Sequence, residues 1–168
     1  MNSSLIIGVP VSILAVFGAI YLAQEVTLIQ ANDIFEQYQS DALEKKIQCS
    51  GTARCLQGTI TDIVDGDTVK VNNQSIRFAL SSAPELNEDG GIEAKEFIEK
   101  LCPLGSTAIV DEDDFQTDGS YGRIVGVVTC NQINLNSALV NSEYGEISKS
   151  FCSTSEFSNS SWASFACK

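Results

Sequence analysis

The chain has 168 residues, enough for one catalytic domain with an appendage. It carries 10 Lys+Arg against 22 Asp+Glu, a net charge of −12, which opposes tight non-specific binding to a polyanion through counterion release. There is no histidine, so Ser-His and Cys-His nucleophilic machinery are excluded and any general base is a carboxylate or a metal-bound water.

Residues 1–24 contain no charged side chain, and residues 5–22 are apolar or small throughout, long enough at about 1.5 Å per residue to cross most of a bilayer. This run exceeds the roughly 7–15 residues of a signal-peptide core, and no Lys or Arg precedes it. The expectation is a single-pass transmembrane anchor, or a secreted protein if the segment is cleaved. Residues 25–48 lack Gly and Pro and space Leu28, Ile34, Phe35, Tyr38 and Leu43 among polar residues, which fits a helical stalk or linker. No basic residue flanks the apolar run before Lys45, so charge does not orient it. The cysteines do: all six lie at or beyond Cys49, an even number in a small domain, which reads as three disulfides in an oxidising, extracytoplasmic compartment.

Residues 49–168 form the expected folded domain. Short β-rich runs at residues 56–64, 67–71 and 75–80 are separated by Asp65-Gly66 and Asn72-Asn73, which read as hairpin turns and give a three-strand meander. Ile92, Phe97, Ile98 and Leu101 stand at helical spacing and stop before Pro103 and Gly105, predicting a helix over residues 92–101. Two further β runs, residues 106–110 and 123–129, flank an acidic loop over residues 111–121. Leu135, Ala138 and Leu139 suggest a short helix, and Ser153-Thr-Ser-Glu156 reads as a capping box opening a last helix that buries Phe157, Trp162 and Phe165. Five strands with a helix after the third predict an α+β, mainly β, OB-fold barrel with appended helices.

The residues able to carry chemistry are acidic and guanidinium. Asp65-Gly66-Asp67-Thr68 sits at a strand-to-strand turn, where an Asp-Gly pair alone is ordinary hairpin chemistry. Arg77 lies in a strand that otherwise reads apolar, so its charge is either paired structurally or faces a cleft, and its fork suits a phosphate oxygen. Glu85 follows Ala83-Pro84 on a loop, and Arg123 follows Tyr121-Gly122, where it either clamps a phosphate or balances the acidic run Asp111 to Asp114.

Together these pieces resemble the staphylococcal nuclease family, whose hallmarks stand here as Ile63-Val-Asp-Gly-Asp-Thr68, Arg77-Phe-Ala-Leu-Ser-Ser-Ala-Pro-Glu85 and Tyr121-Gly-Arg123. Gly91-Ile-Glu-Ala-Lys-Glu-Phe97 and Asn134-Leu-Asn-Ser-Ala-Leu-Val140 are similar to the family's intervening pieces, so the resemblance spans residues 56–147. It implies a Ca²⁺-dependent phosphodiesterase cutting DNA or RNA. Asp67 would be a Ca²⁺ ligand, Arg77 and Arg123 would hold the scissile phosphate, Glu85 would activate or orient the attacking water, and Tyr121 would contact substrate. Where the family has Asp-Thr before Pro-Glu this chain has Ser82-Ala83: Ala83 still offers its carbonyl as a metal ligand, but Ser82 supplies a neutral hydroxyl in place of a carboxylate. That departure keeps a second expectation open, an OB module that binds single strands or a protein partner with little turnover. The chain is expected to act as a monomer. Chain order suggests disulfides Cys49–Cys55, Cys102–Cys130 and Cys152–Cys167 among the 15 possible pairings.

Overall fold

Alternation of inward and outward side chains is the organising feature of the first strand. In the computed structural model, which describes residues 49–168, β1 (Cys55–Ile63) buries Ile60 and Ile63. Those two are three apart and still face the core because a bulge intervenes: Ile60 pairs with Val71 and Asp62 with Lys70, so Thr61 is the extra residue. β2 (Thr68–Val71) and β3 (Gln74–Phe78) form the predicted hairpin, its turn Asn72-Asn73 holding φ of 48° and 65° as a two-residue type I′ connection requires. The anchor and stalk expected over residues 1–48 lie outside the described residues, among which no helix is long and apolar enough to cross a membrane.

After a two-residue strand, β4 (Ser81–Ser82), comes helix α1 (Gly91–Leu101), which buries Ala94 and Ile98 and ends before Pro103. β5 (Thr107–Glu112) and β6 (Ile124–Cys130) follow as an antiparallel pair, then β7 (Ile133–Asn134), helix α2 (Leu135–Val140) and β8 (Glu146–Ile147). β1 pairs with both β2 and β5, and β3 closes the ring by running parallel to β6, with Ile76 opposite Ile124 and Phe78 opposite Gly126. The cyclic order β1-β2-β3-β6-β5 with a helix between the third and fourth barrel strands is a five-stranded closed barrel consistent with an OB fold. Its interior is filled by Ile60, Val69, Ile76, Phe78, Val110 and Val128, with Ile98 of α1 and Leu135 and Leu139 of α2 sealing it.

Two expectations are corrected. Asp65-Gly66 is not a two-residue hairpin turn: the last register pair is Ile63 with Val69, and the wider loop between is closed by Val64 N–H donating to the Thr68 carbonyl at 2.9 Å. Gly66 serves close packing there, since a Cβ would come within 2.6 Å of both Ala83 and Ala94. The C-terminal segment is likewise not an α-helix from Ser153 but two 3₁₀ helices, Lys149–Thr154 and Glu156–Asn159, broken at Ser155. Glu156 is captured by the β5–β6 loop: its N–H donates to Asp113 Oδ1 at 3.2 Å, and its Oε1 accepts the Asp114 N–H at 2.9 Å. These bonds, reaching back more than 40 residues, outcompete the local capping box. Phe157 is buried and Trp162 half-buried against Leu80 and Val125, but Phe165 is 64% exposed.

The cysteines pair as expected, Cys49–Cys55, Cys102–Cys130 and Cys152–Cys167. The second ties the end of α1 to the end of β6 inside the core, and the third staples the two ends of the C-terminal segment.

Candidate active site

The β1–β2 loop delivers its acids to one place by local chemistry. Asp65 Oδ1 accepts the Asp67 N–H at 3.0 Å, a bond that turns the chain and points the Asp67 side chain inward, where it is 7% exposed. Asp67 Oδ1 lies 2.7 Å from Arg77 Nη1 and accepts from Thr68 Oγ1 at 3.1 Å, while Oδ2 accepts the Ala83 N–H at 2.8 Å. Thr68 and Arg77 are direct cross-strand partners, so the register of the β2–β3 hairpin sets this contact. Arg77 Nη1 also donates to the Ser81 carbonyl at 2.8 Å and to the Asp67 carbonyl at 3.3 Å.

Burial dominates the electrostatics. It pushes the Asp67 carboxyl from its ordinary 3.8 up to about 6, against the pull of Arg77 and the Ala83 N–H, with Asp65 adding to the rise. Burial likewise lowers Arg77; the Asp67 carboxylate opposes that, Arg123 reinforces it, and Asp65 and Glu85 oppose it more weakly. Arg77 thus senses Asp67, Arg123, Asp65 and Glu85 together, and these five charged groups share one neighbourhood.

Arg123 enters from the β5–β6 hairpin, whose tip is the tight turn Tyr121-Gly122 with φ of 52° and 79°. Its guanidinium donates to the Ser120 carbonyl at 3.1 Å and to Ser120 Oγ at 3.3 Å. The acidic run does not claim it. Asp111 accepts from Ser50, Glu112 pairs with Arg54, Asp113 accepts from Phe115, Gln116 and Glu156, and Asp114 accepts from Thr52 and Ala53. Among the described residues, no carboxylate lies within ion-pair distance of Arg123. Glu85 sits exposed beyond Pro84, and Tyr121 is fully exposed at the turn apex with no side-chain bond among the described residues.

Ser82 is placed differently from its neighbours. It pairs across the β4–β8 ladder with Glu146, and with Ala83 and Pro84 it lines an open cleft of about 440 Å³ that Glu88, Glu143 and Glu146 also border. Among the described residues no three acidic or cysteine side chains converge as a metal cage. The oxygens shown beside Asp67 are its own carboxylate and that of Asp65, while Ala83 turns its N–H rather than its carbonyl toward it and Ser82 lines the neighbouring cleft. This set fits a hard cation such as Ca²⁺ in type, though it is thin in negative charge.

Sequence reasoning missed two residues that shape the site. Ser81 contributes a backbone carbonyl to Arg77, a role no side-chain pattern announces. Asn136, fully buried, donates from Nδ2 to the carbonyls of Ala79 and Gly126 at 2.9 and 3.1 Å and accepts the Val128 N–H at 3.0 Å. Its signal was a polar residue directly after Leu135 on the apolar side of a short helix.

A five-stranded closed barrel with a helix after its third strand, carrying Asp67 paired with Arg77 beside the β1–β2 loop, defines the class of small OB-fold proteins. The staphylococcal nuclease homologue family model matches residues 75–159, and the chain belongs to that family. The match takes in Arg77, the Ser82 to Glu85 segment, Tyr121 and Arg123; Asp67 lies just before it. An uncharacterized protein of Bacillus anthracis is 31% identical over 121 residues, covering 66% of this chain and 55% of that protein, so the chain spans about half the length of the curated relative it matches.

Proposed function

We propose that this protein is a phosphodiester hydrolase acting on DNA or RNA, with Arg77, Glu85 and Arg123 as its working side chains. The observation that carries the reading is the approach of two guanidiniums, only one of which has a carboxylate partner among the described residues. Like charges gathered at a barrel rim call for an anion between them, and a phosphate with its forked oxygens suits two guanidiniums. Hydrolysis builds charge on the phosphate's equatorial oxygens, which Arg77, buttressed by Ser81 and Asp67, and Arg123 would stabilise without reorganising. Glu85, exposed and next to a rigid proline, would orient and deprotonate the attacking water. Ca²⁺ held by Asp67 with Ser82 and Ala83 would add positive charge beside the phosphate.

The three disulfides support action in an oxidising compartment outside the cytoplasm, and residues 1–24 would anchor the protein to the membrane in a single pass, as a monomer. One observation favours the second reading, a module that binds strands and turns over little: both Asp67 oxygens are already engaged, and Ser82 brings no charge. The experiment that decides is cleavage of single-stranded DNA and RNA at rising Ca²⁺, with Arg77→Ala, Glu85→Gln and Arg123→Ala alongside. Each variant is expected to lose about 10²–10⁴ in kcat/KM. Unaltered cleavage by the three variants would sink the assignment, and salt-sensitive binding without cleavage at any Ca²⁺ concentration would select the second reading.

A further inference from the structure

We infer that the site is shaped for phosphodiesters of low charge, dinucleotides and strand ends, and repels the interior of a long polynucleotide; this rests on the hydrolase reading above. The argument begins with where the positive charge goes. Residues 49–168 hold 8 Lys+Arg against 17 Asp+Glu. Of those eight, Arg54, Lys70 and Arg77 are taken by Glu112, Asp62 and Asp67. Lys95 and Lys100 ride on α1 among Glu93, Glu96 and Glu99, and Lys149 and Lys168 belong to the C-terminal segment. Arg123 is left to meet a phosphate beside Arg77, and among the described residues no other unpaired Lys or Arg lies in the β1–β2, β3–β4 or β5–β6 segments that build the site.

The rim itself is acidic on one side. The segment that places Ala83 N–H on Asp67 is also the wall of the 440 Å³ cleft, whose other members include Glu88, Glu143 and Glu146. All three carboxylates are exposed, and Glu146 stands directly across the ladder from Ser82. Because this wall adjoins Asp67 through Ala83, a strand leaving the site on that side would bring its next phosphates toward these carboxylates. Over a Debye length of about 10 Å at 0.1 M salt, or about 30 Å at 0.01 M, every such phosphate meets net repulsion. A dinucleotide has no further phosphates to place, and the fully exposed Tyr121 ring, two residues before Arg123 at the apex of the same turn, offers one base a stacking surface.

The consequence is a reversed salt dependence. Proteins that hold polynucleotides through Lys and Arg lose affinity as salt rises. Here salt screens repulsion, so the long substrate gains. The test uses the full chain in non-ionic detergent at constant Ca²⁺, with a dinucleotide and a single strand of about 20 nucleotides as substrates. Between about 20 and 200 mM NaCl, kcat/KM for the long strand is expected to rise about threefold or more, while that for the dinucleotide changes less than about twofold. The triple variant Glu88→Gln, Glu143→Gln, Glu146→Gln changes exposed positions and keeps at 88 an amide oxygen able to accept the Glu85 N–H that Glu88 Oε2 now accepts at 3.0 Å, so it is expected to raise long-strand kcat/KM at low salt by a similar factor and leave the dinucleotide unchanged. A long-strand kcat/KM that falls with salt, or that the triple variant leaves as it was, overturns the inference and leaves the hydrolase reading standing. Cleavage of neither substrate overturns both.

Discussion

Replacing Asp67 with asparagine separates the two things its carboxylate does, and the pH dependence of stability reads the difference. In the folded protein the group titrates near 6, against 3.8 for an ordinary carboxyl, because burial outweighs Arg77. A folded-state pKa above the unfolded one means that the contribution of Asp67 is fully present below about pH 4 and is lost as the pH rises through 6. Two pKa units correspond to about 3 kcal/mol, so the ionised side chain costs the fold on that order at pH 8. The neutral amide of the Asp67→Asn variant escapes this cost. It also keeps one oxygen where Asp67 uses two, for Arg77 with Thr68 and for the Ala83 N–H, so one of these bonds is lost at about 1–2 kcal/mol.

The two effects predict a crossover. Without divalent cations, Asp67→Asn should be about 1–2 kcal/mol less stable than wild type at pH 3.5 and about 1–2 kcal/mol more stable at pH 8. Urea denaturation of both proteins across that range, with EDTA present, measures it through the midpoint at constant slope. A difference between the two that stays flat from pH 3.5 to 8 would refute the claim that burial, rather than pairing with Arg77, governs this carboxylate.

Further outcomes follow from the geometry. Ser82→Asp should not simply rescue Ca²⁺ binding, because the new carboxylate faces Glu146 across the ladder; it is expected to lower stability by about 0.5–1 kcal/mol in EDTA, and Glu146→Lys should reverse that loss in the double variant, as a denaturant double-mutant cycle would register. Calorimetric Ca²⁺ titration of the same pair should show tighter binding in Ser82→Asp/Glu146→Lys than in wild type, and no gain would remove Ser82 from the ligand set. Replacing Cys102 and Cys130 by Ala opens a loop of 28 residues and is expected to cost about 3–4 kcal/mol, read as a lowered thermal midpoint under non-reducing conditions.

The barrel was legible because its strands obey a rule local to the chain. Alternating burial along β1, the Asn72-Asn73 turn and the stop before Pro103 are each encoded within a few residues, and the cysteine pairs followed from the order of those elements. What escaped is decided across the fold. The two-residue strands β4, β7 and β8 are too short to show a period, and the C-terminal segment takes its 3₁₀ form from bonds between Glu156 and a loop more than 40 residues away. The same holds at the site: motif spacing pointed to Asp67, Arg77, Glu85 and Arg123, whose charges the fold gathers around Arg77, but gave no hint that Ser82 would face Glu146 or that Tyr121 would stand clear of the other groups.

The position of Arg77 depends in turn on how the barrel closes. The segment between β3 and β4 carries Leu80 at φ 58°, a backbone state a side chain of that size adopts only when its surroundings hold it there. Asn136 does so from within the core, binding the Ala79 carbonyl on one side and Gly126 and Val128 of β6 on the other, while Ser81 Oγ donates to its backbone carbonyl at 3.3 Å. Ser148 N–H fixes the Leu80 carbonyl at 2.8 Å. The Ser81 carbonyl that results is the one Arg77 grips, so a single buried amide joins the β3–β6 seam to the guanidinium. An apolar residue of similar size at position 136 would leave the Ala79 carbonyl and the Val128 N–H without this partner, each at about 1–3 kcal/mol, and would release the turn that aims Ser81. In this protein a polar group in the core is therefore a condition of the site's geometry as well as of the barrel's closure.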